Sequence, residues 1–579
     1  MNRHGLKHLL SLLVLLLIVV GLSAQYDQKE ILTQQAYQKM AMRQFTEAEN
    51  LFLQVLETNP EDLNSILQLL NIYFQTSQLD KAENFLKVHK RIIPPITALE
   101  QEILLLVMQG KPDAAWTLGE TYLQRQNYSD NSYRIVASYF ERRGFYEQMM
   151  RLYGEARTKL NNPDLFRLES ANTALNMRQY PLALTEYLSF LDKNPGNIFF
   201  INSQCRTILN DDPEQITVIR TYALDSTNPV VKELYANALV YQKNYLEALE
   251  VFKNLPADRL IRFAEEQYVA ANDQIALPTF RYLEEISTDT IAKNDYRLRQ
   301  AMILHRNRDF AGTQTLLESI FADSLMLERK NLQRKGINLN ARKLMAENAL
   351  AFQRDPISAK TWLTEARKYC TNSYDLQDID LSLVRLHLIR EEYGEARAVL
   401  AGVNDPQLLE LREYIRFTTE LMSGNTGLAD TLMNEYVIRY PSGKYVNDSI
   451  YQMMFALSLD ASGKEAYFDA YRMLLLQDIG AVDSLRALYI VTNDEELLIQ
   501  AVEWSLLMGD RTRATDILTH TWQDPICKEY AGLLSLLLTD DKTAGETMAR
   551  DFLRESPNSI FAPRFRQSLN RINTSRPDY

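Results

Sequence analysis

Histidines are the first side chains to consider, because they could hold a metal or move a proton. The chain has six, and four of them, His89, His305, His387 and His520, lie outside the N-terminal segment. They are far apart in sequence, and no HExxH or His-x-His spacing occurs. A metal site needs two or more ligands at compatible spacing, so the histidines predict none.

Cysteine and acidic residues give no catalytic pattern either. Cys205, Cys370 and Cys527 are too far apart for a CxxC motif, and their odd number argues against a disulfide framework. Adjacent glutamates beginning at 265, 284, 391 and 495 fall in helical windows, as is typical of solvated helix faces. A Gly-rich phosphate loop and a GxSxG motif are absent from the sequence. We therefore expect a non-enzymatic protein with no cofactor and no metal.

Length and composition favour a large helical protein. A chain of 579 residues is too long for one core and predicts several domains or one repeat array. With 46% hydrophobic residues but only 19 Gly and 18 Pro, the sequence favours helices over an all-β fold. The formal charge is −12, and lysine and arginine are interspersed with acids, so we expect no nucleic-acid partner.

The N-terminal residues form a separate segment. Arg3 and Lys7 precede an apolar run from Leu9 to Leu22, and the small residues Ser23 and Ala24 follow. This order is typical of a secretory signal peptide over residues 1–24, cleaved near Ala24. The run is 14 residues long, shorter than the ~20 that span a bilayer comfortably, although a retained anchor is the alternative. The sequence predicts an exported chain that is soluble after cleavage.

Two consecutive stretches of the sequence follow the same pattern. "RQFTEAENLFLQVLETNPED" ends at Asp62, and "SQLDKAENFLKVHKRIIPPI" ends at Ile96. A shift of 34 residues places Ala48 on Ala82, Phe52 on Leu86 and Pro60 on Pro94. An apolar period of 3.6, broken about every 15 residues by a polar turn, predicts paired antiparallel helices.

The pattern continues along the chain. The small-residue position is occupied by Ala115, Ala183 and Ala248, and Met149 departs from it; more degenerate copies place Thr313, Ala396, Ala429 and Ala514 there. This pattern resembles the tetratricopeptide repeat (TPR), a 34-residue helix–turn–helix with Ala in its second helix and Pro at its end. The sequence is therefore predicted to be all-α, an α-solenoid superhelix of antiparallel TPR-like helix pairs.

The resemblance is uneven, which suggests two blocks. We predict an N-terminal TPR array over 25–256, an irregular helical junction over 257–290, and degenerate TPR-like helical repeats over 291–579. The stretch "CRTILNDDPEQITVIRTYALDSTNP", with no clear Ala position, and the region of "NLQRKGINLN" are the expected interruptions.

In the TPR family, partners bind in the concave groove, which the first helix of each pair lines. Carried onto this sequence, the resemblance implies eleven groove positions: Tyr37, Met40, Asn71, Phe74, Gln75, Ser138, Arg142, Asn172, Asn176, Asn237 and Tyr241. Asn71, Asn172 and Asn237 occupy the same place in their repeats, so stacking would align them as a polar ladder for a peptide backbone. One TPR subgroup grips a C-terminal carboxylate with Lys and Asn on two successive first helices; this sequence has Thr33 and Tyr37 at the matching places of its first repeat, so we expect no such clamp.

The sequence combines a signal-like segment with a repeat array and has no catalytic or metal-binding motif. This combination favours a protein-binding scaffold or adaptor of the periplasm or cell envelope. Two alternatives stay open: a holdase or assembly factor for exported and outer-membrane proteins, and an accessory helical domain of a cell-wall enzyme complex. The expected partners are proteins or peptides. Membrane association would come through those partners or a retained anchor, and the sequence does not define the oligomeric state.

Overall fold

Helices are the regular secondary structure throughout the part of the chain that the structure describes, and that part contains no strand. The structure, a computed structural model, describes residues 28–327, 331–539 and 541–574. The signal segment predicted for residues 1–24 lies outside these ranges. The all-α prediction is confirmed.

The chain divides into two compact units, residues 1–244 and 245–579. In unit 1, α1 covers residues 28–41. The helices after it are α2 Phe45–Thr58, α3 Leu63–Gln75, α4 Leu79–His89, α5 Pro95–Met108, α6 Pro112–Arg125, α7 Asp130–Glu141, α8 Tyr146–Lys159, α9 Arg167–Asn176, α10 Tyr180–Lys193, α11 Ile198–Asp211, α12 Ile216–Asp225 and α13 Pro229–Tyr241. Two 3-10 turns, Pro195–Asn197 and Pro213–Gln215, join α10 to α11 and α11 to α12.

Unit 2 continues the succession of helices. Its helices are α14 Tyr245–Lys253, α15 Ala257–Val269, α16 Asp273–Ile286, α17 Thr290–Arg306, α18 Phe310–Ala322, α19 Leu332–Asn348, α20 Pro356–Ala366, α21 Ser373–Ile389, α22 Tyr393–Leu400, α23 Leu409–Met422, α24 Thr426–Arg439, α25 Val446–Ser458, α26 Ala461–Leu475, α27 Gly480–Thr492, α28 Glu495–Leu507, α29 Arg511–Leu518, α30 Pro525–Leu538, α31 Lys542–Glu555 and α32 Ala562–Thr574. Shorter 3-10 and π turns lie at Ser324–Leu327, Ala349–Gln353 and Arg367–Tyr369.

A left-handed residue ends the first helix of many pairs. Ser77, after α3, has φ 57°, and the amide of Gln78 donates to the carbonyl of Tyr73 across 2.8 Å. This is the Schellman pattern that satisfies the last carbonyls of a helix. Glycine occupies the same place after α5 and α7, at Gly110 and Gly144 (φ 74° and 68°), where it adopts this conformation without a Cβ clash. The turn sends the chain back antiparallel to the first helix.

In several helix pairs, each of the two helices contributes a buried alanine at the same relative position. Ala36 in α1 and Ala48 in α2, twelve positions apart, are both fully buried, and so are Ala171 and Ala183 in α9 and α10. Where the second helix carries a larger residue, the first carries alanine: Met149 in α8 is matched by Ala137 in α7. The departure noted at Met149 is thus compensated across the helix pair, which keeps the core close-packed.

The junction predicted over 257–290 is corrected by the structure. Residues 257–286 form α15 and α16, and these helices pack as a regular pair. Ala264 and Ala276 are fully buried and twelve positions apart, as in the α1–α2 and α9–α10 pairs. The repeat was hidden because α14 has only nine residues, so Ala276 follows Ala248 by 28 positions instead of 34.

The two expected interruptions are helical as well. Residues 198–225 fold as α11 and α12, with Cys205 and Ile219 in their buried core. The stretch "NLQRKGINLN" opens α19, a helix of 17 residues whose Asn331 side chain accepts from the amide of Arg334 as an N-cap. The chain therefore forms paired helices even where its sequence lacks the consensus small residue.

Unit 2 contains contacts between residues that are far apart in sequence. The last residue of α26 and the turn that follows it, residues 475–478, lie against α19 and α21. We call this segment the 475–478 corner. Arg385 in α21 donates from Nε to the carbonyl of Leu475 across 2.8 Å. Farther along, Arg308 donates from Nη1 to the carbonyl of Met508 across 3.1 Å. In unit 2 the later helices thus return to the earlier ones.

A helix that crosses a bilayer must be both long and apolar. Within the described ranges, no helix meets both requirements.

Candidate functional site

One side chain of each first helix in unit 1 falls at the same repeat position, directly after a fully or nearly fully buried residue. We call this set the groove row, and it runs along α1, α3, α5, α7, α9, α11 and α13: Tyr37, Asn71, Leu104, Ser138, Asn172, Arg206 and Asn237. Contacts between consecutive first helices show that they lie side by side. Tyr37 donates from its hydroxyl to Oδ1 of Asn64 in α3 across 2.8 Å, and the Arg206 guanidinium lies 5.7 Å from the Tyr241 ring centroid in α13.

Most predicted groove residues reach solvent. Tyr37 and Tyr241 are 41% and 39% exposed. Gln75, Ser138, Arg142, Asn172 and Asn176 are exposed, and Met40, Asn71 and Asn237 are partly buried. Their role in binding a partner stays a prediction.

Phe74 is the exception and corrects the sequence analysis. Its side chain is only 2% exposed and packs in the core of α2, α3 and α4. Asn71 and Gln75 flank it on α3, and the Gln75 amide donates to Oδ1 of Asn71 across 3.1 Å. A rotation of less than one helical turn separates groove from core, and the pattern alone placed Phe74 on the wrong side.

The predicted asparagine ladder is not continuous. Leu104, only 5% exposed, and Ser138 stand between Asn71 and Asn172 in the groove row. Asn172 also accepts a hydrogen bond of 2.6 Å from the hydroxyl of Tyr187, which occupies its carbonyl oxygen but leaves its NH2 group to donate. The row therefore offers separate polar positions, divided by an apolar one.

Sequence reasoning missed Arg206 as a groove residue. It stands 34 positions after Asn172, which itself stands 34 after Ser138, so the spacing alone could have found it. The repeat consensus gives no signal in this stretch, because α12 carries Ile219, not alanine, at the helix junction. Arg206 gives the row an exposed positive charge between two asparagines.

A cavity in unit 2 is a second candidate site. Its volume is about 1010 Å³, at the upper end of the roughly 300–1,000 Å³ of ligand pockets. The ends of α17 and α26, the middle of α23, the start of α25 and the second half of α28 form its wall. The 475–478 corner and the turn after α28 belong to that wall, so the contacts of Arg385 and Arg308 help to define it.

Aromatic side chains form one side of the cavity. The Tyr445 ring stacks on the Tyr414 ring with centroids 4.6 Å apart. The Tyr414 hydroxyl lies 3.3 Å from that of Tyr471 and accepts from Nε2 of Gln452 across 2.7 Å. Burial raises the pKa of Tyr414 and of Tyr471, so both phenols stay protonated and act as neutral hydrogen-bonding groups.

Metal ligands and reactive thiols are two further kinds of functional group to locate. Within the described ranges, no three His, Cys, Asp or Glu side chains are placed to hold a metal ion. The cysteines are free, and burial raises the pKa of Cys205 and of Cys527 to about 12, which leaves both as unreactive thiols.

The helix pairs, their facing small residues and their left-handed turns define a TPR-like α-solenoid. No protein-family model matches the sequence. No curated protein matches it either.

Several solved helical-repeat structures align with the chain. Naa15, solved with Naa10 and bound to HypK-THB, shares 14% identity, over 94% of this chain and 86% of that chain, with a TM-score of 0.31. The Cut9–Hcn1 hetero-tetramer of APC/C gives 12% identity, 94% and 96% coverage and a TM-score of 0.23. Yeast Tom70 gives 16%, 74% and 94% coverage and 0.28. These similarities are too low to carry an argument about function, so the fold rests on the helix pairs themselves.

Proposed function

We propose that the protein is a non-enzymatic scaffold or adaptor that binds a protein partner along the groove row of unit 1. The exposure of three consecutive positions of the row carries the proposal. Ser138, Asn172 and Arg206, on three consecutive first helices, are exposed where the adjacent small residues are buried. Stacked helix pairs that repeat such positions form an extended binding surface, and exposed donors and acceptors suit a polypeptide backbone.

Site-specific photo-cross-linking tests this proposal. Ser138 and Asn172 would each be replaced by p-benzoylphenylalanine in the full-length protein in its native cells, and adducts identified after irradiation. We expect one adduct of fixed stoichiometry from both positions. The matched control is Thr185, exposed on the second helix α10 of the same repeat, which should give no such adduct. Equal cross-linking from Thr185 would contradict a groove-bound partner.

A triple substitution tests the polar positions separately. Asn71, Asn172 and Asn237 changed together to alanine should weaken partner binding, because each amide that no longer pairs with the partner removes about 0.5–1.5 kcal/mol. Asn172 accepts from the buried Tyr187 hydroxyl, so the triple variant should lose about 1–3 kcal/mol of stability, and binding is compared where circular dichroism shows both proteins folded. Unchanged binding would remove the asparagines from the site.

The proposed location is the periplasm or cell envelope, on the strength of the signal-like segment at residues 1–24. N-terminal sequencing of the protein from fractionated cells tests it. A mature chain starting near Gln25 in the envelope fraction supports cleavage and export, an intact start in the membrane fraction supports a retained anchor, and recovery in the cytoplasm contradicts both.

A broad set of unfolded client proteins among the cross-linked adducts would favour a holdase over a scaffold.

A further inference from the structure

Exposed aromatic side chains are concentrated at one end of the groove row. Within the described part of unit 1, four aromatic side chains are exposed, and three of them, Phe199, Phe200 and Tyr241, lie on the neighbouring first helices α11 and α13. Phe199 is 82% exposed and Phe200 41%. Large apolar side chains that are exposed together mark interaction sites. We call these three residues, together with Arg206 of α11, the aromatic patch.

Phe199 faces the groove. It stands seven positions before Arg206 of the groove row, and seven residues make nearly two helical turns, so both side chains share one face of α11. The same place on α3 is occupied by Asn64, which accepts from the hydroxyl of Tyr37 in the row of the preceding first helix. On α7 this place carries Asn131, another exposed polar residue. The groove therefore has a phenylalanine on α11 where these two helices carry asparagine.

The two phenylalanines have different surroundings. The Phe200 ring lies edge-on to the buried Tyr187 ring, with centroids 6.5 Å apart, and the Tyr187 hydroxyl donates to Asn172. Phe200 thereby packs the start of α11 against α10. In the described part of the chain the Phe199 ring contacts no other aromatic ring, and most of its surface is in water. A partner side chain that covers Phe199 removes apolar surface from water, which favours binding.

Arg206 supplies the charge of the patch. Its guanidinium lies 5.7 Å from the ring centroid of Tyr241, and in the described part of the chain it pairs with no carboxylate. Arg134 on α7 also lies along this surface, but it already pairs with Glu169 on α9. A guanidinium is a planar fork of donors that matches the geometry of a carboxylate. Arg206 is therefore suited to an acidic side chain of a bound segment.

We propose that the aromatic patch binds a partner segment whose aromatic side chain packs on Phe199 and whose carboxylate pairs with Arg206. This inference rests on the proposed function, since it assumes a protein partner in the groove, and it adds the chemistry of that partner. Aromatic residues and arginine are the side chains enriched in protein interfaces, and the patch combines both.

The spacing within the patch restricts the sequence of the partner. Seven residues place Phe199 and Arg206 about 10.5 Å apart along α11. A segment in the polyproline II conformation rises ~3.1 Å per residue and has three residues per turn, so side chains three positions apart lie about 9 Å apart on one face. The flexible arginine side chain covers the difference. We therefore expect the partner to carry an acidic residue three positions from an aromatic one.

The test uses the full mature chain and defined peptides. The probe is acetyl-Glu-Pro-Ser-Phe-Pro-Ser-Glu-amide, whose prolines favour polyproline II and whose glutamates stand three positions on either side of phenylalanine, so either chain direction fits. A second peptide has alanine in place of phenylalanine, and a third has glutamine in place of both glutamates. By isothermal titration calorimetry, we expect saturable binding of the probe with a Kd below about 1 mM, and at least about fivefold weaker binding of the other two.

Variants of the chain identify the residues. Phe199→Ala should remove the preference for the probe over the alanine peptide. Arg206→Gln should remove the preference over the glutamine peptide, because that preference comes from the charge pair. The matched controls are Leu224→Ala and Arg220→Gln, both exposed on α12, the second helix of the same pair, and they should bind as the wild type does. Circular dichroism melts establish that each variant is folded.

Three outcomes overturn the inference: no saturable binding, equal binding of either control peptide, or α12 variants that affect binding as much as the α11 variants do. None of these depends on the cross-linking experiment. If the full-length protein gives adducts from Ser138 and Asn172 while peptide binding fails, the proposed function stands and this inference does not. If the peptide binds as expected but neither position gives an adduct, the aromatic patch is a binding site and the extended groove is not.

Discussion

Alanine at two facing positions sets how closely the paired helices approach. Ala183 in α10 is fully buried against α9, whose Ala171 is equally buried. Neither side chain leaves room for a larger neighbour, because protein interiors are packed as densely as organic crystals. Met149 shows how the chain accommodates a larger residue, since alanine faces it on the adjacent helix.

Ala183→Leu is expected to destabilise unit 1. Three extra carbons at this junction should force the helices apart and lower the free energy of unfolding by ~1–3 kcal/mol. Chemical denaturation of the full chain, followed by circular dichroism, measures the change. Thr185→Leu, an exposed position on the same helix, is the control and should shift stability by less than about 0.5 kcal/mol. Equal stability of both variants would show that the repeat register is wrong.

The sequence predicts the role of a single residue well where only one residue type can meet a physical requirement. The buried alanines were predictable because two helices can approach closely only where side chains are small. The prolines that follow second helices were predictable because proline has no backbone amide to continue the helix. Phe74 was misplaced because its assignment to core or groove depends on the rotation of α3 within the packed unit. Arg206 was missed because the reasoning depended on a consensus residue and not on the spacing.

Individual helices are tied to one another through their ends. Glu495 is the first residue of α28 and is 8% exposed. It accepts backbone amides of Gln523 and Asp524, both at 2.8 Å, and Nε2 of His520 lies 3.1 Å from its Oε1. Burial alone would raise the pKa of Glu495, but these donors lower it below the ordinary 4.5. One carboxylate therefore fixes the loop between α29 and α30 to the start of α28.

The lowered pKa predicts how stability depends on pH. Because the folded state binds the Glu495 proton less tightly than the unfolded state, this carboxylate adds stability above its ordinary pKa and loses it as pH falls through its folded pKa. Glu495→Gln should therefore be destabilised relative to the wild type at about pH 7, and the gap should narrow at about pH 3.5. Urea unfolding at both values measures the gap. A gap that stays constant would mean that the charge of Glu495 contributes nothing, and Glu555→Gln should show no gap at either pH.

The existence of helix pairs was predictable at this scale, but their boundaries were less so. The α15–α16 pair carries its small residues in the usual relation, yet the short α14 shifted it out of the 34-residue step. The length of a helix varies with the loop that follows it. The twelve-residue relation between small residues, in contrast, depends only on the two helices of one pair. A search for two small residues twelve positions apart would have found Ala264 and Ala276 without any fixed period.

Contacts over long sequence distances distinguish unit 2 from a simple stack. A linear repeat array contacts only its neighbours, so its stability is close to a sum over adjacent pairs. In unit 2, Arg308 reaches Met508, 200 positions away, and Arg354 pairs with Asp478, 124 positions away, at 2.9 Å. No periodic pattern encodes such contacts, which explains why the cavity and the 475–478 corner could not be predicted from the sequence.

Arg385 joins the 475–478 corner to α21, so its removal should loosen the corner more than any other part of unit 2. Arg385→Met keeps the apolar stem but removes the donor to the Leu475 carbonyl and the cation paired with Glu347, whose carboxylate then accepts only from Nε2 of Gln477 across 3.2 Å. We expect faster amide hydrogen exchange over residues 474–480 and a loss of about 1–3 kcal/mol in the free energy of unfolding. Arg554→Met, which removes an exposed ion pair with Asp551 one turn away on α31, should cost less than about 0.5 kcal/mol and leave the corner unchanged. If exchange at the corner matched the wild type in Arg385→Met, the remaining contacts of Arg354 with Asp478 and of Gln477 with Glu347 would hold the corner in place, and the cavity wall would not depend on Arg385.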